Sequence, residues 1–383
     1  MAGPSRTVLL VAVVAAVASF ASLGAADLKT GYYASSCPNV ETIVRGVVQQ
    51  KMQSTIRTIG STIRLFFHDC FVEGCDGSVL IQSTPGNQAE KDASDNLSLS
   101  FEGFETIRSA KAAVEAACPD TVSCADVLAL AARDAIAYSG GPFYPVELGR
   151  LDGLSSKASS VPGQLPQPTD SIDQLVAIFK AHGLSNISDL VALSAAHSVG
   201  LAHCAKFAYR LYNFQPGQPA DPSLNPKYAA FLRSKCPNGG PDWMVLMDQA
   251  TPAAFDNQYY RNLQDGGGLL GSDQLLYADN RTRALVDALA NSTPRVLSGV
   301  RRRRHPARPR RGQVRQAGQH QKAVRRVQLK GTRAYVRQPI QGEACVYTKC
   351  VCMSTCILLP ETRKGFIRLS VLILVSRLYF SLV

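Results

Sequence analysis

Apolar residues recur along much of this chain at intervals of three and four, the spacing that lines one face of a helix. Ile43, Val44, Val47, Val48 and Met52 form one such stripe; Phe104, Ile107, Val114 and Ala117 form another, which Pro119 terminates. Ser123 is placed to cap the run "CADVLALAARDAIAYSGG", whose Gly140 and Gly141 suit its exit, and Ser171 opens a further helix that Gly183 closes. The stretch "SDLVALSAAHSVG" reads as another helix with Ser188 as its cap. The pattern has no alternating strand pairs with hairpin signals, no internal repeat and no sustained heptad, so the body is predicted to be predominantly α.

The two ends depart from this pattern. Arg6, the apolar run Val8 to Phe20 and the small residues Gly24 and Ala26 make residues 1–26 a secretory signal peptide in appearance. The run is too short for a membrane span, which takes about 20 apolar residues. Export implies oxidising conditions, so the seven cysteines before residue 240 read as disulfide partners with one left over. Asn96, Asn186, Asn280 and Asn291 head Asn-x-Ser/Thr triplets and are candidate glycan acceptors.

Charge divides the chain sharply. Of 41 Lys and Arg and 29 Asp and Glu, 20 of the bases but only Glu343 and Glu361 lie from Arg295 onward, giving +18 there and −6 in the rest. Residues 295–383 carry "RVLSGVRRRRHPARPRRG", a cysteine cluster at Cys345, Cys350, Cys352 and Cys356, and an apolar end broken by Arg368 and Arg377. Almost no acids, no apolar period and no cap signals make this segment read as a disordered tail, from a frame shift, a retained intron or a misjoined exon. Nucleic-acid binding would need aromatic residues among the arginines or a recognisable fold, and zinc binding would need paired CxxC spacing; neither is present. The last residues are also a poor membrane span.

Chemistry concentrates in "RLFFHDCFVEGCDGSVL", residues 64–80. On a helix Arg64 and His68 face the same way, with Phe67 beside them. A second histidine, His197, follows Ala195 and Ala196 on a different predicted helix. Alone, each histidine reads as a packed or polar contact; together they suggest a sandwich around a flat cofactor, for which the two alanines leave room.

This stretch, with "EKDASDN", "LPQP", "LVALSAAHSVG" and "DQATPAAFDNQYY" in that order, resembles the secreted haem peroxidases of plants, called class III, over residues 27–294. The resemblance implies an all-α, two-lobed fold with haem b between the lobes. It implies reduction of hydrogen peroxide and one-electron oxidation of phenolic donors by a monomer. His68 would shuttle a proton and Arg64 would stabilise charge on the leaving oxygen. Asn96 would accept from His68, with Glu90 supporting Asn96, a buried role that competes with Asn96 as a glycan site. Phe67 would contact the haem and Pro166 the donor, His197 would bind iron, and Asp273 would accept the remaining N–H of His197 and make it more basic. Read bare, Asp273 is instead a helix cap.

Two calcium ions are implied by the same resemblance: one held by Asp69, Val72, Gly74, Asp76 and Ser78, the other by Ser198, Asp248, Thr251, Ala254 and Asp256. Cysteines would pair as Cys37–Cys118, Cys70–Cys75 and Cys204–Cys236, and Cys124 would lack its usual partner because the tail replaces the family's ending. Expected destinations are the cell wall or the vacuole, with no nucleic-acid partner and no membrane anchor once the signal is cleaved. The competing expectation is a secreted haem- and calcium-binding protein left catalytically silent by the missing last helix and disulfide.

Overall fold

The computed structural model describes residues 28–291. The signal-peptide reading, the basic tail and its cysteine cluster lie outside the described residues. The chain divides into two units, Met1–Leu329 and Lys330–Val383, and every described residue belongs to the first.

Eleven α-helices are present among the described residues. Four of them pack together: α1 (Val40–Ser54), α2 (Arg57–Phe71), α3 (Phe101–Ala117) and α4 (Cys124–Tyr138). The sequence of α4 explains its place at the centre of this group. It is rich in alanine, so neighbouring helices approach closely, and every side chain from Cys124 to Ile136 is buried. Its buried charges are paired. Asp126 accepts from Tyr33 at 2.9 Å and from Arg150 at 2.9 Å, while Arg133 meets Asp134 at 2.6 Å and Glu41 at 2.9 Å. Unpaired, such charges would cost several kcal/mol each.

The remaining helices are α5 (Ile172–Ala181), α6 (Ile187–Leu193), α7 (Ala208–Leu211), α8 (Pro226–Lys235), α9 (Gln258–Gln264), α10 (Gly271–Ala278) and α11 (Asn280–Ala290). Helix α11 packs on α6, α9 and α10. A smaller apolar cluster including Phe207, Leu211, Leu232 and Val245 sits around α7 and α8. It includes the only strands among the described residues, β1 (Leu201–His203) paired antiparallel to β2 (Met244–Leu246). At three residues each, they are too short to leave an alternating signature in the sequence.

Capping follows the sequence with one correction. Ser123 Oγ accepts from the Asp126 amide, and Ser171 forms a reciprocal capping box with Gln174. For α6, however, Asn186 is the cap, its Oδ1 accepting from the Ser188 amide and hydroxyl. An Asn two residues upstream reaches the free amides better than Ser188, which lies inside the first turn. The predicted helix over His197 also ends early. α6 stops at Leu193, and His197 sits on a 3-10 turn, Ser194–Ser198. Ala117, predicted on the apolar face of α3, is exposed at its last turn.

Candidate active site

Helix α2 carries Arg64, Phe67 and His68 onto the wall of a cavity of about 390 Å³. The protonation of His68 follows from its neighbours. Asn96 Nδ2 donates to the Glu90 carbonyl at 2.8 Å, which turns Oδ1 toward His68 Nδ1, 2.6 Å away. Facing an acceptor, Nδ1 must carry the hydrogen, leaving Nε2 with its lone pair. Burial pushes the imidazolium pKa down to about 3, with help from the Arg64 charge and against the Asn96 bond. His68 is therefore a neutral base near pH 7.

Arg64 is crowded by protein but open to the cavity. Burial lowers its pKa to about 10, so it keeps its charge near neutrality. Its Nη1 donates to the Ser98 carbonyl at 2.8 Å and its Nη2 to Ser98 Oγ at 3.0 Å. One short segment, residues 96–98, thus holds both side chains of the wall. The sequence marked Ser98 only as the end of the Asn96 glycan triplet and not as a partner of Arg64, 34 residues away.

The other wall comes from the second half of the chain. His197 lines the same cavity, with 40% of its side chain accessible, and its Nδ1 lies 2.9 Å from Asp273 Oδ1. Burial alone would lower its pKa, but the charge and hydrogen bond of Asp273 outweigh that and raise it. Because a carboxylate only accepts, Nδ1 is again the donor and Nε2 is left free. Asp273 is not the helix cap that its bare sequence suggested. It lies inside the first turn of α10, is 3% exposed, and takes a second donor, the Tyr259 hydroxyl, at 2.8 Å. Tyr259 lies in the stretch "DQATPAAFDNQYY" that carries the resemblance, but no role was expected of it from the sequence.

The two walls meet at a pair of glycines. A Cβ on Gly60 of α2 would lie 2.6 Å from the Cα of Gly200, three residues after His197, so only glycine permits this approach. Ala196, Val199 and Pro166 line the cavity, while Ala195 is buried in the core instead. Arg57 and Lys206 add cationic lining. A slot with two free imidazole nitrogens, apolar walls and cations fits a flat, iron-bearing macrocycle with acidic substituents, as haem is.

Of the first calcium set, the two carboxylates are brought together. Asp69 and Asp76 are buried together, and the loop behind them runs through left-handed backbone at Glu73, Gly74 and Gly77. Burial and the Asp76 charge push Asp69 well above its ordinary value, and burial chiefly pushes Asp76 up to about 6, a cost to both charged forms that a cation would offset. Ser78 Oγ donates to Glu90 Oε2 at 3.0 Å, which leaves its lone pairs free. Glu90 thus supports Asn96 through its backbone carbonyl, not its carboxylate; burial pushes that carboxylate up to about 8. For the second set, Ser198 Oγ donates to the Asp256 carbonyl at 3.2 Å and Thr251 Oγ1 to Asp248 at 3.3 Å, while the Ala254 amide donates to the Thr251 carbonyl. Among the described residues no three His, Cys, Asp or Glu side chains cluster for a metal, so either ion would depend on hydroxyls and backbone carbonyls.

The three expected disulfides, Cys37–Cys118, Cys70–Cys75 and Cys204–Cys236, are formed, and Cys124 is a buried free thiol. Asn96 is 1% exposed with both amide atoms engaged, which leaves no room for a glycan, whereas Asn186, Asn280 and Asn291 are exposed.

Residues 44–292 match the family model described as Peroxidase. The chain is 52% identical to Peroxidase 50 of Arabidopsis thaliana over 273 residues, 70% of this chain and 83% of that protein. It is 53% identical to Peroxidase 51 over 274 residues, 71% and 83% of the two chains, and 49% identical to Peroxidase 73 over 289 residues, 75% and 88%, both of the same organism.

Proposed function

The chain belongs to the peroxidase family, and on that premise we propose how its own residues divide the work. It is a haem-dependent peroxidase that consumes hydrogen peroxide and oxidises reducing substrates. Bound haem supplies the redox centre, taking two electrons' worth of oxidation from peroxide and returning it to donors one electron at a time.

His197 would hold the iron through Nε2, and Asp273, drawing on its Nδ1 proton, would make that ligand strongly basic. His68 Nε2 would take a proton from one oxygen of hydrogen peroxide in the cavity and return it to the other, which would leave as water. Asn96 keeps His68 in the tautomer that can do this. Arg64 would stabilise the negative charge that gathers on the leaving oxygen, an interaction worth roughly 3 to 4 kcal/mol. For Arg64 to serve, its guanidinium must turn from Ser98 toward the bound peroxide. Phe67 would pack on the macrocycle, and donors would reach its edge near Pro166, both residues lining the cavity. The finer assignments, haem b, two calcium ions at the sets above, phenolic donors and a monomer, complete the proposal. So do export to the cell wall, with the vacuole as the other destination, and a division into residues 1–26, 27–294 and 295–383.

One observation carries this reading: two imidazoles 129 residues apart line one cavity, each with Nδ1 tied to an acceptor and Nε2 left for the cavity. A catalytically silent binding protein is not favoured, since the whole constellation lies within residues 44–292, the part that matches the family. Reconstitution with haem and calcium tests it. The wild type is expected to give a Soret band that changes rapidly with peroxide. His68→Ala and Arg64→Leu should keep the band and lose the rapid change, by roughly a hundredfold or more. Equal, slow reactions in all three proteins would defeat the assignment.

A further inference from the structure

Asp273 is buried, yet both hydrogen bonds to its carboxylate end on one oxygen. His197 Nδ1 and the Tyr259 hydroxyl lie 2.9 and 2.8 Å from Oδ1, while Oδ2 is buried with no partner. The negative charge is thus shared between two donors and no third. In such a site each donor bears on the other, because a carboxylate oxygen relieved by one hydrogen bond pulls less on the next.

Tyr259 is built to stay in this position. It is 3% exposed, its ring stands edge-on to His197 with centroids 6.2 Å apart, and it packs against Tyr260, whose own hydroxyl donates to the Val191 carbonyl at 2.8 Å. Burial and the Asp273 charge keep the Tyr259 phenol protonated, so that it donates.

We propose that Tyr259 is a positioning residue that limits how strongly Asp273 draws on the Nδ1 proton of His197, and so sets the electron donation of His197 Nε2. The inference rests on His197 as the iron ligand. Without the phenol, Asp273 has His197 as its sole partner, pulls harder on Nδ1–H and makes the imidazole a stronger donor. With a more acidic phenol the opposite follows.

The test uses the full chain reconstituted with haem, and reads the iron(III)/iron(II) reduction potential and the iron(II)–imidazole stretching frequency. Tyr259→Phe is expected to lower the potential and raise the frequency with the Soret band retained. Replacing Tyr259 alone with 3-fluorotyrosine, a stronger donor of the same shape, should shift both the other way, and it decides the matter if the Phe variant takes up haem poorly. Asp273→Asn serves as the reference and should raise the potential and lower the frequency. If Asp273→Asn moves both readouts while the two Tyr259 variants leave them unmoved, Tyr259 is a structural contact and the proposal is wrong. Should Asp273→Asn also move neither, His197 is not the ligand and both readings fall.

Discussion

At the scale of residues, the deciding side chain is Asn96, which the sequence offered both as a glycan acceptor and, by preference, as the buried partner of a catalytic histidine. Its Nδ2 is spent on the Glu90 carbonyl and its Oδ1 on His68, so only the second role is open. Asn96→Ala removes the acceptor and lets the imidazole hydrogen sit on either nitrogen. The peroxide reaction of the haem-loaded protein should slow by roughly tenfold, the equivalent of one buried hydrogen bond of about 1.4 kcal/mol. Intact mass should fall by the substitution alone. A loss of glycan mass with an unchanged rate would return Asn96 to the surface.

Helix α2 shows what an element contributes beyond its residues. Its 15 residues place Arg64 and His68 one turn apart on the cavity, and Gly60 one turn earlier lets the same helix touch the segment that follows His197. Gly60→Ala would drive a methyl into backbone 2.6 Å away. It should cost about 1 to 3 kcal/mol and weaken haem binding by parting the two walls. Gly46→Ala, on an exposed face of α1 with nothing within 4 Å of the new methyl, should instead stabilise by up to about 1 kcal/mol and leave haem binding alone. Denaturant titrations with and without haem separate the two. An equal effect from both substitutions would mean that the Gly60–Gly200 approach does not shape the slot.

For the whole molecule, the disulfides differ in what they restrain. Cys37–Cys118 closes a separation of 81 residues across α1 and α3, and Cys70–Cys75 only 5. Chain-entropy arguments give about 4.5 and 2 kcal/mol respectively. The double alanine variant of the long bridge should therefore unfold at markedly lower denaturant than that of the short one. The short bridge ties down the loop holding Asp76, so if calcium binds there as proposed, its removal should show chiefly as weaker retention of that ion. Equal midpoints would shift the explanation from the unfolded chain to native contacts.

Much of this was legible in the sequence because it is local. Helical periodicity, the Ser123 and Ser171 caps, and the four-residue spacing of Arg64 and His68 depend only on neighbours along the chain. The short β1–β2 ladder, the Asn186 cap and the 3-10 turn under His197 were missed, since two or three residues carry too weak a pattern to outvote their surroundings. Contacts between distant segments belong to the tertiary structure alone. Ser98 under Arg64, the Glu90 carbonyl under Asn96, Gly60 against Gly200, and Tyr259 sharing an oxygen with His197 are set by how helices pack, and packing is decided by volumes and partners that no single stretch of sequence contains.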